Sequence, residues 1–248
     1  MNIVIGLLIP FIGTVFGSLM VYFMKDKLNR NIEVIILGFA AGVMVAASIW
    51  SLIIPAMNLV DNVKWLPVSV GLFLGVLLFW IIDFWMNKRN TCENALEQHD
   101  YKKLMMAVTL HNIPEGMAVG VIFASYLAGS SMASLASCYA LCLGIAIQNF
   151  PEGIIVSLPM YKNGYNKNKA FLYGVVSAVF ELLGAIITLI FTNIVTLILP
   201  YLLALAAGAM FYVVVVELIP ESQDKNNLNI IGFLIGFMLM MILDVALG

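Results

Sequence analysis

Two hexapeptides in this sequence share the pattern x-Asn-x-Pro-Glu-Gly: His111-Asn112-Ile113-Pro114-Glu115-Gly116 and Gln148-Asn149-Phe150-Pro151-Glu152-Gly153. On a helix, residues three and four apart share a face. His111, Asn112 and Glu115 therefore project together, and so do Gln148, Asn149 and Glu152. Pro114 cannot donate to the carbonyl of Leu110, nor Pro151 to that of Ile147, so each motif bends its helix and frees an oxygen. Gly116 and Gly153 allow a neighbour to come close. Facing one another, the two stretches offer one imidazole, three amides, two carboxylates and unpaired carbonyls. That set suits a divalent cation such as zinc, iron(II), manganese or cobalt. One intramembrane Glu alone could be a protonated packing residue; two copies of the whole hexapeptide argue for a site. Glu181, in Phe180-Glu181-Leu182-Leu183-Gly184, is the candidate third carboxylate. Met44 is either a soft ligand or a wall residue. Glu217 suits an exit-path carboxylate as well as a cytoplasm-facing residue.

Composition says what must position these groups. The chain has 248 residues, of which 62% are hydrophobic and 10% charged, whereas soluble domains carry about 25% charged residues. This excludes a soluble enzyme, a nucleic-acid-binding module and a disordered chain. A bilayer core about 30 Å thick takes about 20 helical residues to cross. Eight segments qualify: 3–24, 33–57, 66–86, 104–126, 132–159, 169–191, 196–219 and 228–247. The expected fold is an all-α membrane protein of eight transmembrane helices, because lipid forces backbone groups to pair within each segment. The N-terminus lacks a positive n-region, so 3–24 reads as a true span. These segments hold Asp83, Glu115, Glu152, Glu181, Glu217 and Asp244, with no Lys or Arg near any middle. An ionised acid at mid-helix costs about 2.5–3.5 kcal/mol, so protons or a bound cation must neutralise them. Asp83 and Asp244, near span ends, could simply cap or snorkel.

Eleven of the twelve Lys and Arg residues fall in loops 1, 3, 5 and 7, with Lys64 the exception. The positive-inside rule puts those loops in the cytoplasm and both termini outside. The longest loop, 87–103, has mixed charge and includes Cys92, Glu93, Glu97, His99 and Asp100; it reads as a solvated connector. Cys138 and Cys142 read as buried packing residues.

The chain also repeats itself. Ala40-Ala41-Gly42-Val43-Met44 with Ser51-Leu52-Ile53 matches Ala206-Ala207-Gly208-Ala209-Met210 with Glu217-Leu218-Ile219. Gly71, Gly75 and Asp83 match Gly232, Gly236 and Asp244. Span 1 against span 6 rests on little more than Gly17 and Gly184. Spans 1–3 and 6–8 thus read as two copies around a central pair, spans 4 and 5. The copies lie five crossings apart, so they are inverted, a plan common in secondary transporters.

The paired motifs on the fourth and fifth of eight spans, with both termini outside, resemble the Zrt/Irt-like (ZIP) metal transporter family, most closely its bacterial members. The resemblance covers nearly the whole chain and implies one transporter domain over 1–248. It implies uptake of a divalent metal, usually zinc, across the cell membrane into the cytoplasm. The implied ligands are His111, Asn112, Glu115, Gln148, Asn149, Glu152 and Glu181, with Met44 also at a ligand position and Glu217 at a further site on the inward route. Asp244 matches a span-8 aspartate. The family is similar to an elevator in which spans 1, 4, 5 and 6 move against 2, 3, 7 and 8. Asn149 is neutral where some members carry Asp. Three carboxylates against two divalent ions lead us to expect one strong metal site and one weak one. Val216 stands where relatives can have His, and loop 3 lacks a His-rich run.

The expected partners are divalent metal ions and membrane lipid, with no nucleic acid; a homodimer is left open. With two histidines, His99 and His111, a His-rich hydrolytic zinc centre cannot be assembled, so the chain is not expected to be an enzyme. A proton or small-solute transporter is the remaining alternative. An anionic substrate would need a basic partner at the midplane, and a proton path would not need paired amides.

Overall fold

The computed structural model describes residues 2–24, 30–88, 96–129, 134–162 and 164–247, and every regular element among them is helical. Helix α1 spans Asn2–Phe23. Helix α2 starts as Arg30–Ala47, widens into a π-helical turn at Ser48–Ile53 and ends as Ile54–Asn58. Helices α3 (Trp65–Lys88), α4 (Leu96–Leu127), α5 (Leu135–Lys162) and α6 (Lys167–Ile190) follow. Helix α7 runs from Thr192–Val213 through a second π turn, Val214–Leu218, to Ile219–Glu221. Helix α8 is Leu228–Leu247.

Among the described residues, seven of these are long and apolar enough to cross a membrane. In α4 the apolar stretch found among the described residues is Glu115–Leu127. Helix α4 begins eight residues before the expected start of span 4, because Leu96–Lys103 is rich in good helix formers. Part of the stretch read as loop 3 is therefore helix. Cys92 and Glu93 lie outside the described residues, as do the side chains of Glu97, His99 and Asp100.

Packing divides the helices into two sets. In the first, α1 lies along α5 and α4 along α6, with α6 also against α1 and α5. In the second, α2 lies along α8 and α3 along α7, and the π turn of α2 joins the pairs. The sets meet where α4 crosses α7 and where α5 touches α2 and α8. The second set has an apolar core of small residues and methionines, including Ala40, Ala206, Ala207, Met44 and Met210. Cys138 and Cys142 are buried with Val119, Phe123 and Ile145 in a separate apolar cluster of the first set, a packing role as expected.

Candidate metal site

The polar interior belongs to the first set. Glycines bring its backbones together: a Cβ at Gly116 would collide with the carbonyl of Glu181, and one at Gly184 with that of Ile113, so α4 and α6 cross nearly in contact. Gly153 meets the carbonyl of Thr14 and Gly17 that of Phe150, which does the same for α5 and α1. These two crossings carry the acidic side chains inward. Asn112, Glu115, Gln148, Asn149, Glu152 and Glu181 are all at most 2% exposed. Helix α4 includes His111, whose side chain lies outside the described residues.

Amides hold the carboxylates. Gln148 Nε2 donates to Glu115 Oε1 and, at 3.3 Å, to Glu152 Oε1. Asn149 Nδ2 donates to Glu181 Oε2 at 2.8 Å and to the carbonyl of Pro10 at 3.4 Å. Asn112 Nδ2 donates to the carbonyl and the hydroxyl oxygen of Ser177, each at 3.2 Å. Carboxylates and backbone carbonyls can only accept, so these partners dictate which way each amide points. The N–H groups are used up within the protein. The oxygens Asn112 Oδ1, Gln148 Oε1, Asn149 Oδ1 and Glu181 Oε1 are buried and make no hydrogen bond. An interior whose described amides have spare acceptors and their N–H groups already engaged favours a cation. The nearest basic residue along α5, Lys162, is ten residues beyond Glu152, roughly 15 Å along the axis.

As the side chains stand, no three His, Cys, Asp or Glu among the described residues form a ready metal cage. Gln148 sits between Glu115 and Glu152, and Asn149 covers one oxygen of Glu181. A cation would have to draw these oxygens around itself as the amides turn.

The remaining candidates lie apart. Met44 is fully buried in the second set's core, one shared with Ile155 and Val156 of α5, the turn after Glu152. Its carbonyl accepts from Ser48 Oγ at 2.7 Å, and that hydroxyl also lies 3.6 Å from Met210 Sδ. Glu217 is half-buried on the π turn of α7. Asp83 Oδ2 accepts from Tyr212 at 3.2 Å, and Asp244 Oδ1 from Ser51 at 2.8 Å, so each ties a helix pair rather than capping an end. Beside Asp244, between the two sets, is a cavity of about 200 Å³ lined by Ser51, Ile122, Ser137, Leu141 and Ile145. Gln148 lies one turn along α5 from Ile145.

Residue types alone did not single out Ser177 or Thr109. Ser177 is fully buried, orients Asn112, and accepts from Thr109 Oγ1 at 3.3 Å. The available signal was spacing: Ser177 precedes Glu181 by four residues and Thr109 precedes Asn112 by three, on the same faces.

The comparisons with known proteins concern the family. The family model described as ZIP Zinc transporter matches residues 102–244, which include both hexapeptides and Glu181. The chain is 31% identical to zinc transporter ZIP11 of Xenopus tropicalis, over 98% of this chain and 96% of the relative. It is 34% identical to zinc transporter ZIPB of Bordetella bronchiseptica, over 99% of this chain and 81% of that one. It is 32% identical to zinc transporter ZupT of Streptococcus mutans, over 92% and 91%. With that family model over more than half of the chain, and relatives matched over nearly its full length, this protein belongs to the ZIP zinc transporter family.

Proposed function

We propose that this protein carries zinc across the cell membrane into the cytoplasm, with the ion held between α4, α5 and α6. The observation that carries this reading is the inward set of spare oxygens on Asn112, Gln148, Asn149 and Glu181, beside three buried carboxylates. His111, Asn112, Glu115, Gln148, Asn149, Glu152 and Glu181 form the site; Met44 walls or completes it, and Glu217 receives the ion on the inward side. The cavity beside Asp244 is the route from outside. Uptake into proteoliposomes tests this: zinc enters with the parent protein, and Glu152→Ala and His111→Ala abolish it. Undiminished uptake in both variants removes the site. Competition by iron(II), manganese, cobalt and cadmium ranks the alternative cargoes, and a proton or small-solute carrier would be indifferent to all five.

The reading includes eight crossings, with both termini outside, and an inverted repeat. Close backbone contacts support the repeat. Gly42 meets Phe233 and Gly236 meets Phe39; the corresponding positions in the other copies, Gly208 with Leu72 and Gly75 with Leu205, meet in the same way. The central motifs extend the correspondence to α1 and α6. Gly17 with Phe150 matches Gly184 with Ile113, and Gly153 with Thr14 matches Gly116 with Glu181. Each motif asparagine donates to the carbonyl four residues before the one its motif glycine meets: Asn149 to Pro10, ahead of Thr14, and Asn112 to Ser177, ahead of Glu181. Thr14, fully buried, thus stands opposite Glu181 as its counterpart.

A further inference from the structure

The two ends of the interface between the helix sets differ. At the end carrying Ser51 and Asp244 the sets are parted by the cavity. Along α2, Glu33 lies 18 residues, about 27 Å, from Ser51. At that far end the sets are closed: Leu37, Ala40 and Ala41 of α2 share a core with Ile155 and Val156 of α5. Beyond that seal, Lys162 Nζ of α5 pairs with Glu33 Oε1 of α2.

Glu33 has a second cation from its own set. Arg30 Nη1 lies 3.3 Å from the same Oε1, while Arg30 Nη2 donates to the carbonyls of Glu221 at 2.8 Å and Gln223 at 3.4 Å, at the end of α7. Arg30 is therefore anchored within the second set. The first set is tied internally at this end too, since Lys167 Nζ donates to the carbonyl of Met24 at 2.6 Å and Tyr22 donates to Asn168 at 2.9 Å. The Glu33 to Lys162 pair bridges two bodies that are each pinned separately.

We propose that the Glu33–Lys162 ion pair is a reversible latch that keeps this end shut while the opposite end is open, and that it breaks in each transport cycle. It rests on the transport reading above. Its chemistry suits reversal. When Lys162 leaves, Glu33, with a side chain 12% exposed, still has Arg30, so no buried charge is stranded. Lys162, 33% exposed, returns to water.

Thiol accessibility tests the latch without requiring transport. Ile155→Cys places a thiol within the seal, reachable by a maleimide only when the sets part. Adding Glu33→Gln or Lys162→Met should raise its labelling rate about two- to fivefold, as loss of a part-exposed pair shifts a minor population in proportion. Labelling of native Cys138 and Cys142, buried within the first set, should not change. Leu37→Cys reports the same opening from α2 if the first variant folds poorly. An unchanged rate at both reporters, or an equal rise at Cys138 and Cys142, overturns the latch. In the Glu33→Cys, Lys162→Cys protein, a short reducible cross-linker should lower zinc uptake at least tenfold and a reductant should restore it. Cross-linked protein that transports at the reduced rate also overturns the latch. Absence of zinc uptake in the parent protein would instead sink the transport reading, and the labelling experiment would still decide the latch.

Discussion

The two helix sets are built alike and filled differently. Both rely on glycines that let one helix touch another's carbonyls, as Gly116 and Gly153 do in the first set and Gly42 and Gly75 in the second. Yet the first set encloses three carboxylates and three amides, and the second encloses alanines and methionines. The comparison teaches that small-residue contact is a general way to pack helices in lipid, where no hydrophobic effect drives association. It identifies no function. Function follows from what the contacts press together.

Four substitutions test that contrast. The largest effect is expected at the polar centre: Glu152→Ala should reduce zinc uptake by proteoliposomes to the level of empty ones. Next is Asn149→Asp, which puts a carboxylate 2.8 Å from Glu181 in place of a donor. The metal-free protein should then melt lower, and zinc should raise its melting temperature more than it does the parent's. A second zinc, weak in the parent with three carboxylates, should bind about tenfold tighter by calorimetry, within the range typical of changes beside a metal. Ser177→Ala removes the hydroxyl that helps aim Asn112 and should weaken zinc binding about tenfold, with Ser177→Thr closer to the parent. In the second set the same scale of change should do little. Met44→Leu conserves volume and should cost less than about 1.5 kcal/mol of stability. A zinc affinity unchanged by Met44→Leu assigns Met44 to the wall, whereas a tenfold loss makes it a ligand.

Much of the first set's chemistry was legible because its residues come in a repeated hexapeptide whose helical spacing is unambiguous. Asn112, Glu115, Gln148, Asn149 and Glu152 could be placed on two faces from spacing alone, and Glu181 from being a carboxylate amid apolar neighbours. The four residues of Ser177 to Glu181 followed the same rule but carried no warning, since a serine in a membrane helix is commonplace. The match between α1 and α6 was faint for a similar reason. Thr14 and Glu181 share a position but not a residue type, and only the shared contact with a motif glycine aligns them. The start of α4 was misplaced because charge was read as loop, while helix propensity over Leu96–Lys103 carried the helix on.

By itself the sequence determined that the chain is helical and membrane-embedded, with acids it cannot neutralise internally. Those conclusions depend on composition and period, which are local. Tertiary structure alone decided that the amide N–H groups are spent on carboxylates, carbonyls and a hydroxyl, leaving the oxygens of these amides unpaired. It also decided that the two helix sets are parted at one end and joined by Glu33 and Lys162 at the other. Each of these depends on distances between residues far apart in the chain, and no periodicity encodes them.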